Sequence, residues 1–147
     1  MKNIIKFFVV CFILGLIFKP ILNSCEDNRK DEISKLPESK ITYLEADAEI
    51  GRNADNSEPK KDDLFNKKYK DHWFTWEGEV LKTYDESVKM NISGFKDLYS
   101  EELVVYFADK KSVYDIKVGQ IIKVKFLMND FNTFLADFEG QEGVLVK

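Results

Sequence analysis

Trp73-Phe74-Thr75-Trp76-Glu77-Gly78-Glu79-Val80-Leu81 is the stretch on which the fold turns. Phe74, Trp76, Gly78 and Val80 alternate with Thr75, Glu77, Glu79 and Leu81, so every second residue faces a core while its neighbours meet water. This period of two predicts a long strand with one apolar face. Gly78, in its middle, marks a bulge or a sharp coil, because a strand interior otherwise disfavours glycine.

The same reading extends downstream. Tyr84-Asp85-Glu86-Ser87 is a turn, and Val88, Met90 and Ile92 then alternate with Lys89 and Asn91, completing a hairpin. After a loop over residues 94–101, the nearly continuous apolar run of residues 103–107 predicts a strand buried on both faces. A short helix is expected over 109–116 and a turn at Val118-Gly119-Gln120, after which Ile122, Val124 and Phe126 alternate with Lys123 and Lys125. A turn over 129–132, a fifth strand over 134–138, a turn over 140–143 and a last short strand over 144–146 finish the chain. On the other side of the opening stretch, residues 62–69 read as a short helix with Leu64, Phe65 and Tyr69 on one side.

These elements predict a mostly β domain over residues 62–147, a five-stranded Greek-key OB-fold-like barrel with a short N-terminal helix. An SH3-type barrel, or an open sheet with a packing helix, is the competing architecture.

Tyr69-Lys70, Trp76-Glu77-Gly78-Glu79-Val80, Val104-Val105-Tyr106-Phe107 and Val118-Gly119-Gln120-Ile121-Ile122-Lys123-Val124 give a narrower likeness. Across about residues 64–140 the chain resembles a bacterial family of OB-fold lipoproteins called tRNA anticodon-binding-like. Phe126 departs from that pattern, which often has glycine after this strand. The resemblance implies an OB barrel. The family's name reports a likeness of fold and does not imply that exported members bind tRNA.

Upstream of the domain, residues 26–61 are polar and poor in aromatics, with Pro37 and Pro59 as breaks. Such a composition buries too little apolar surface to offset ordering entropy, so residues 25–61 are expected to be a flexible polar tether, with 41–50 able to form a transient helix or strand. Before it, Lys2 and Lys6 precede an apolar run over residues 7–18, the pattern of an export signal, assigned here to residues 1–24. Leu22-Asn23-Ser24-Cys25 resembles a lipobox, which implies acylation of Cys25 and a lipoprotein facing the periplasm or the cell surface. Lys19, Pro20 and Asn23 depart from a good lipobox, and a soluble secreted protein without lipid anchor stays open as the alternative. An uncleaved anchor would need ~20 apolar residues, more than this run supplies.

The whole chain carries a net charge of −4. Residues 1–24 hold three lysines and no acid, so the remainder has 19 basic against 26 acidic residues, a net charge of −7. Phosphate-backbone affinity comes from clustered lysine and arginine, so this balance disfavours nucleic acid as partner. With Cys11 inside the signal, Cys25 is the single cysteine of the remainder and no intramolecular disulfide can form.

No catalytic constellation stands out. His72 is the only histidine, which excludes a histidine-paired triad or a multi-histidine metal site. There is no Cys-x-x-Cys, His-Glu-x-x-His or phosphate-cradling glycine loop, and the acids from Asp130 to Glu139 lack the spacing and glycine of a calcium loop. Glu77 and Glu79 share the polar face of the first strand without a group to make them an acid-base pair. No enzyme, cofactor or metal is expected. The remaining candidates are aromatic: OB barrels bind ligands on the face of strands two and three, which selects Trp73, Tyr84, Lys89 and Tyr106 as ligand-binding candidates. Packing against the helix explains Trp73 and Tyr106 equally well. The expectation is a non-enzymatic binding module for a protein or oligosaccharide in the cell envelope. The alternative is a single-stranded nucleic-acid module using Lys89, Lys96 and Lys123.

Overall fold

The strand expected first is present as β1 (Trp73–Thr83), with Phe74, Trp76, Gly78 and Val80 buried and Thr75 and Glu77 exposed. It belongs to a computed structural model that describes residues 29–52, 54–95, 101–132 and 136–146. The expected signal and Cys25 lie outside the described residues, as does Lys96. The chain divides into two compact units, Met1–Leu36 and Pro37–Lys147. In the first, residues 29–34 are helical.

The second unit is built on a closed barrel. Besides β1 it contains β2 (Ser87–Asn91), β3 (Leu103–Phe107), β4 (Ile121–Asn132) and β5 (Ala136–Leu145), closed in the order β1-β2-β3-β5-β4. β3 and β5 run parallel; every other neighbouring pair is antiparallel. Closure leaves no strand without a neighbour on each side for at least part of its length. Trp76 is the centre of the core. Its ring meets Phe74, Phe126 and Phe138 edge-on at 5.3–5.4 Å, contacts that each add about 0.5–1.5 kcal/mol beyond burial.

Two glycines make this packing possible. A Cβ on Gly78 would stand 2.3 Å from the Asn91 carbonyl oxygen, so its absence lets β2 cross closely over β1. Gly143, where the β3–β5 register shifts, leaves the corresponding space to Val105.

The folded unit begins well before Asp62. All of helix α1 (Tyr43–Ile50) and the first turn of helix α2 (Glu58–Lys68) lie in what composition marks as tether. Tyr43, Ala46 and Ile50, on one side of α1, are buried in the barrel's core. The Tyr43 ring meets Trp76 at 5.6 Å and Phe138 at 5.9 Å, both edge-on. A capping box starts α1: the Glu45 amide donates to Thr42 Oγ1, and the Thr42 amide donates to the Glu45 carboxylate. Pro59 sits in the first turn of α2 rather than breaking it, since proline's missing N–H costs nothing there. Phe65 of α2 packs on Phe131, and Tyr69 just beyond it stacks on Phe74.

Four other expectations are corrected. β3 is not buried on both faces: Leu103, Val105 and Phe107 point inward, whereas Val104 is half-buried and Tyr106 is 40% exposed. The helix between β3 and β4 is a single 3-10 turn, Lys110–Val113, whose Val113 joins the core together with Ile116. Residues 129–132 continue β4. Residues 140–143 lie inside β5, where the register shifts and Glu142 takes a positive φ of 56°. α1 and the segment around Val113 and Ile116 thus both add side chains to the barrel's core.

Candidate functional site

Strand parity builds a groove on the outside of the barrel. Val88 and Met90 of β2 face the core, so Lys89 and Ser87 face outward. Ser87 is opposite Tyr106 of β3, Lys89 is opposite Val104, and Val104 is in turn beside Glu139 of β5. Two outward rows result, Lys89–Val104–Glu139 and Ser87–Tyr106. The β1–β2 turn rises beside them, held by the Tyr84 amide donating to the Ser87 carbonyl and the Phe107 amide donating to the Glu86 carbonyl, both at 2.8 Å. Together these elements enclose a groove of about 760 Å³, within the range of ligand sites.

Tyr84, Lys89 and Tyr106 all line this groove. Tyr84 is 49% exposed and Tyr106 40% exposed, so both side chains are accessible to a ligand. Trp73 does not join them. It sits at the start of β1 opposite Leu127, its ring 5.3 Å from Lys125 Nζ and its backbone paired to Pro37 and Ser39. β1 and β3 are not neighbours in the barrel, which keeps Trp73 and Tyr106 apart.

Both lysines of the groove are paired with the protein's own carboxylates. Lys89 Nζ is 2.5 Å from Glu101, which also accepts from Lys82 at 2.7 Å. These two ammonium donors, Lys82 first, hold the Glu101 carboxyl below the usual carboxylate range. Lys110 is paired with Glu86, and that hydrogen bond raises its pKa above the ordinary lysine value. Asp85 and Glu139 add two acids to the lining. A polyanion would have to compete with the protein's own carboxylates for both lysines. Lys123 lies exposed on β4, separated from β2 by β1, so it contributes no charge to the groove.

Sequence reasoning did not find Glu86, Lys110 or Glu139 as groove residues. The turn at Tyr84-Asp85-Glu86-Ser87 signals the first, whereas Glu139 enters only because β5 pairs with β3. Among the described residues no cluster of histidine, cysteine and acidic side chains is arranged to hold a metal ion. No described helix is long and apolar enough to cross a membrane.

No family model, curated protein or solved structure matches the chain.

Proposed function

We propose that this protein is a non-enzymatic exported lipoprotein whose OB-like barrel binds a protein or an oligosaccharide of the cell envelope in the groove between the β1–β2 turn and β3. The observation that carries this reading is the meeting of Tyr84, Lys89 and Tyr106 on the outer β2–β3 face. The strand order, with its parallel β3–β5 pair, suits an OB-type Greek-key barrel, whose ligand face this is. The resemblance to the tRNA anticodon-binding-like lipoproteins is part of the same reading. Two accessible tyrosines beside lysines already paired with carboxylates suit sugar rings or an uncharged peptide better than phosphates. The export sequence and Cys25 supply the proposed address, a membrane-anchored position outside the cytoplasm.

The test places a photo-crosslinking amino acid at Val104 in cells of a bacterial host and compares the Tyr84→Ala/Tyr106→Ala variant. A discrete crosslinked protein or glycan that disappears in the double variant supports the reading. Crosslinking that persists unchanged removes the groove from it, and retention of a single-stranded oligothymidylate by the purified protein would favour nucleic acid instead. Intact mass of the membrane-extracted protein beside Cys25→Ala tests the anchor: acyl groups present only on the parent chain support it.

A further inference from the structure

β1 has an edge that the barrel does not use along its first half. Val80 donates to the Gln120 carbonyl and accepts from the Gly119 amide, so even-numbered β1 residues turn their backbone groups toward β4. Odd-numbered residues turn theirs the other way. On that side β2 begins pairing only at Glu79. At the far end Trp73 is taken: its amide donates to the Pro37 carbonyl and its carbonyl accepts from the Ser39 amide, both at 2.8 Å. Glu38 thereby forms a parallel bridge with Trp73.

Between these two pairings, Thr75 and Glu77 face neither strand. Beyond Asn91 the β2 chain bends off, and the Ile92 and Ser93 amides go to the Glu102 carboxylate at 2.6 and 2.7 Å. After Ser39 the other flank bends off too, as the Ile41 carbonyl accepts from Trp76 Nε1 at 3.0 Å. Among the described residues, the amides and carbonyls of Thr75 and Glu77 therefore have no strand partner. They lie along a separate groove of about 330 Å³, walled by residues 39–44 on one side and by Ile92 and Ser93 on the other.

We infer that this groove takes an extended segment of a partner protein as a short added strand on β1. Alternating amides and carbonyls on one edge match a polypeptide backbone, and the open length accommodates about three residues. The walls select a slim single chain. A second barrel approaching edge-on would meet residues 39–44 and 92–93 before its own strand reached Thr75. Ile41, Leu44 and Ile92 make the walls apolar, with Leu44 64% exposed, so the central residue of the segment is apolar on its inward side.

The experiment reads amide hydrogen exchange and amide chemical shifts of the full chain, alone and with an acetylated, amidated hexapeptide of alternating valine and threonine. In the free protein the Thr75 and Glu77 amides exchange faster than those of Trp76 and Gly78. With millimolar peptide they slow by roughly tenfold or more. Of two versions of the peptide N-methylated on alternate amides, only the one methylated on the set facing β1 loses binding. Leu44→Arg weakens binding severalfold, whereas Tyr84→Ala/Tyr106→Ala leaves it unchanged, so the result is independent of the other groove. Thr75 and Glu77 amides already slow in the dilute free protein, or unmoved by the peptide, overturn the inference. Protection that grows with protein concentration alone also overturns it, by assigning the edge to a second copy.

Discussion

Gly140 of β5 lies directly against the ring of Phe126 on β4: a Cβ added to Gly140 would stand 2.3 Å from Phe126 Cδ2 and 2.8 Å from its Cγ. Both residues are buried, and Phe126 also packs on Phe74 and Trp76, so the ring has no direction in which to yield. Gly140→Ala is therefore expected to destabilise the barrel by about 2 kcal/mol, the ordinary cost of overpacking. Urea unfolding checks it, and Phe126→Leu in the same chain should recover part of the loss. An unchanged midpoint for Gly140→Ala would show that the ring moves freely.

The capping box of α1 gives a second prediction. Thr42→Ala removes the oxygen that accepts the Glu45 amide, and should cost about 1 kcal/mol. Because α1 delivers Tyr43 to Trp76, tryptophan fluorescence should report the loosening. Loss of stability with an unaltered Trp76 environment would separate the helix from the core.

Truncation tests where the domain starts. A chain beginning at Pro37 should fold cooperatively, whereas one beginning at Asp62 lacks Tyr43, Ala46 and Ile50 and opens the core around Trp76 and Phe138. Near-ultraviolet circular dichroism and thermal melting distinguish the two. Equal melting of both chains would reduce α1 to a surface decoration.

Asp47 and Glu101 should respond to pH with opposite signs. Burial first, and then the Glu102 charge, raise the Asp47 pKa above its ordinary value. The fold thus disfavours its charged form, and Asp47→Asn should stabilise the neutral-pH protein by ~0.5 kcal/mol, a figure kept small because the group is partly solvated. That advantage should fade as pH falls and Asp47 protonates. Glu101, held low by Lys82 and Lys89, contributes stability that is complete above the unfolded carboxylate range and is lost as pH falls through its depressed folded value. Stability measured against pH for Asp47→Asn and Glu101→Gln checks both signs.

Much of the barrel was legible because its strands are half-buried and alternate. β1 follows the period-two pattern residue by residue, and β3 occupies the predicted apolar run. α1 was hidden by its acids: three inward residues, Tyr43, Ala46 and Ile50, anchor an otherwise polar helix. Thr42 and Glu45, at capping-box spacing, were the available signal. Residues 140–143 looked like a turn because glycine serves turns, but here Gly140 and Gly143 yield space to Phe126 and Val105. Asn129 and Asp130 likewise resembled a turn while extending β4. Of the four ligand-binding candidates, Tyr84 from the turn and Lys89 and Tyr106 from β2 and β3 line one groove. Trp73 lies elsewhere on the barrel, because adjacency around a closed barrel depends on long-range pairing order, which local pattern does not encode.

Phe138 is where distant parts of the chain converge. Tyr43 and Trp76 touch its ring, Leu103 pairs with it in register, and its amide reaches the Glu102 carbonyl. A chain made from its N-terminus presents Tyr43 well before Phe138. α1 therefore has no permanent seat until β5 has been made. Rapid folding by local contacts is closed to this topology, and its rate is governed by the late arrival of one strand. During that interval the apolar side of α1 remains uncovered, so the polarity of its other side keeps the waiting segment in solution.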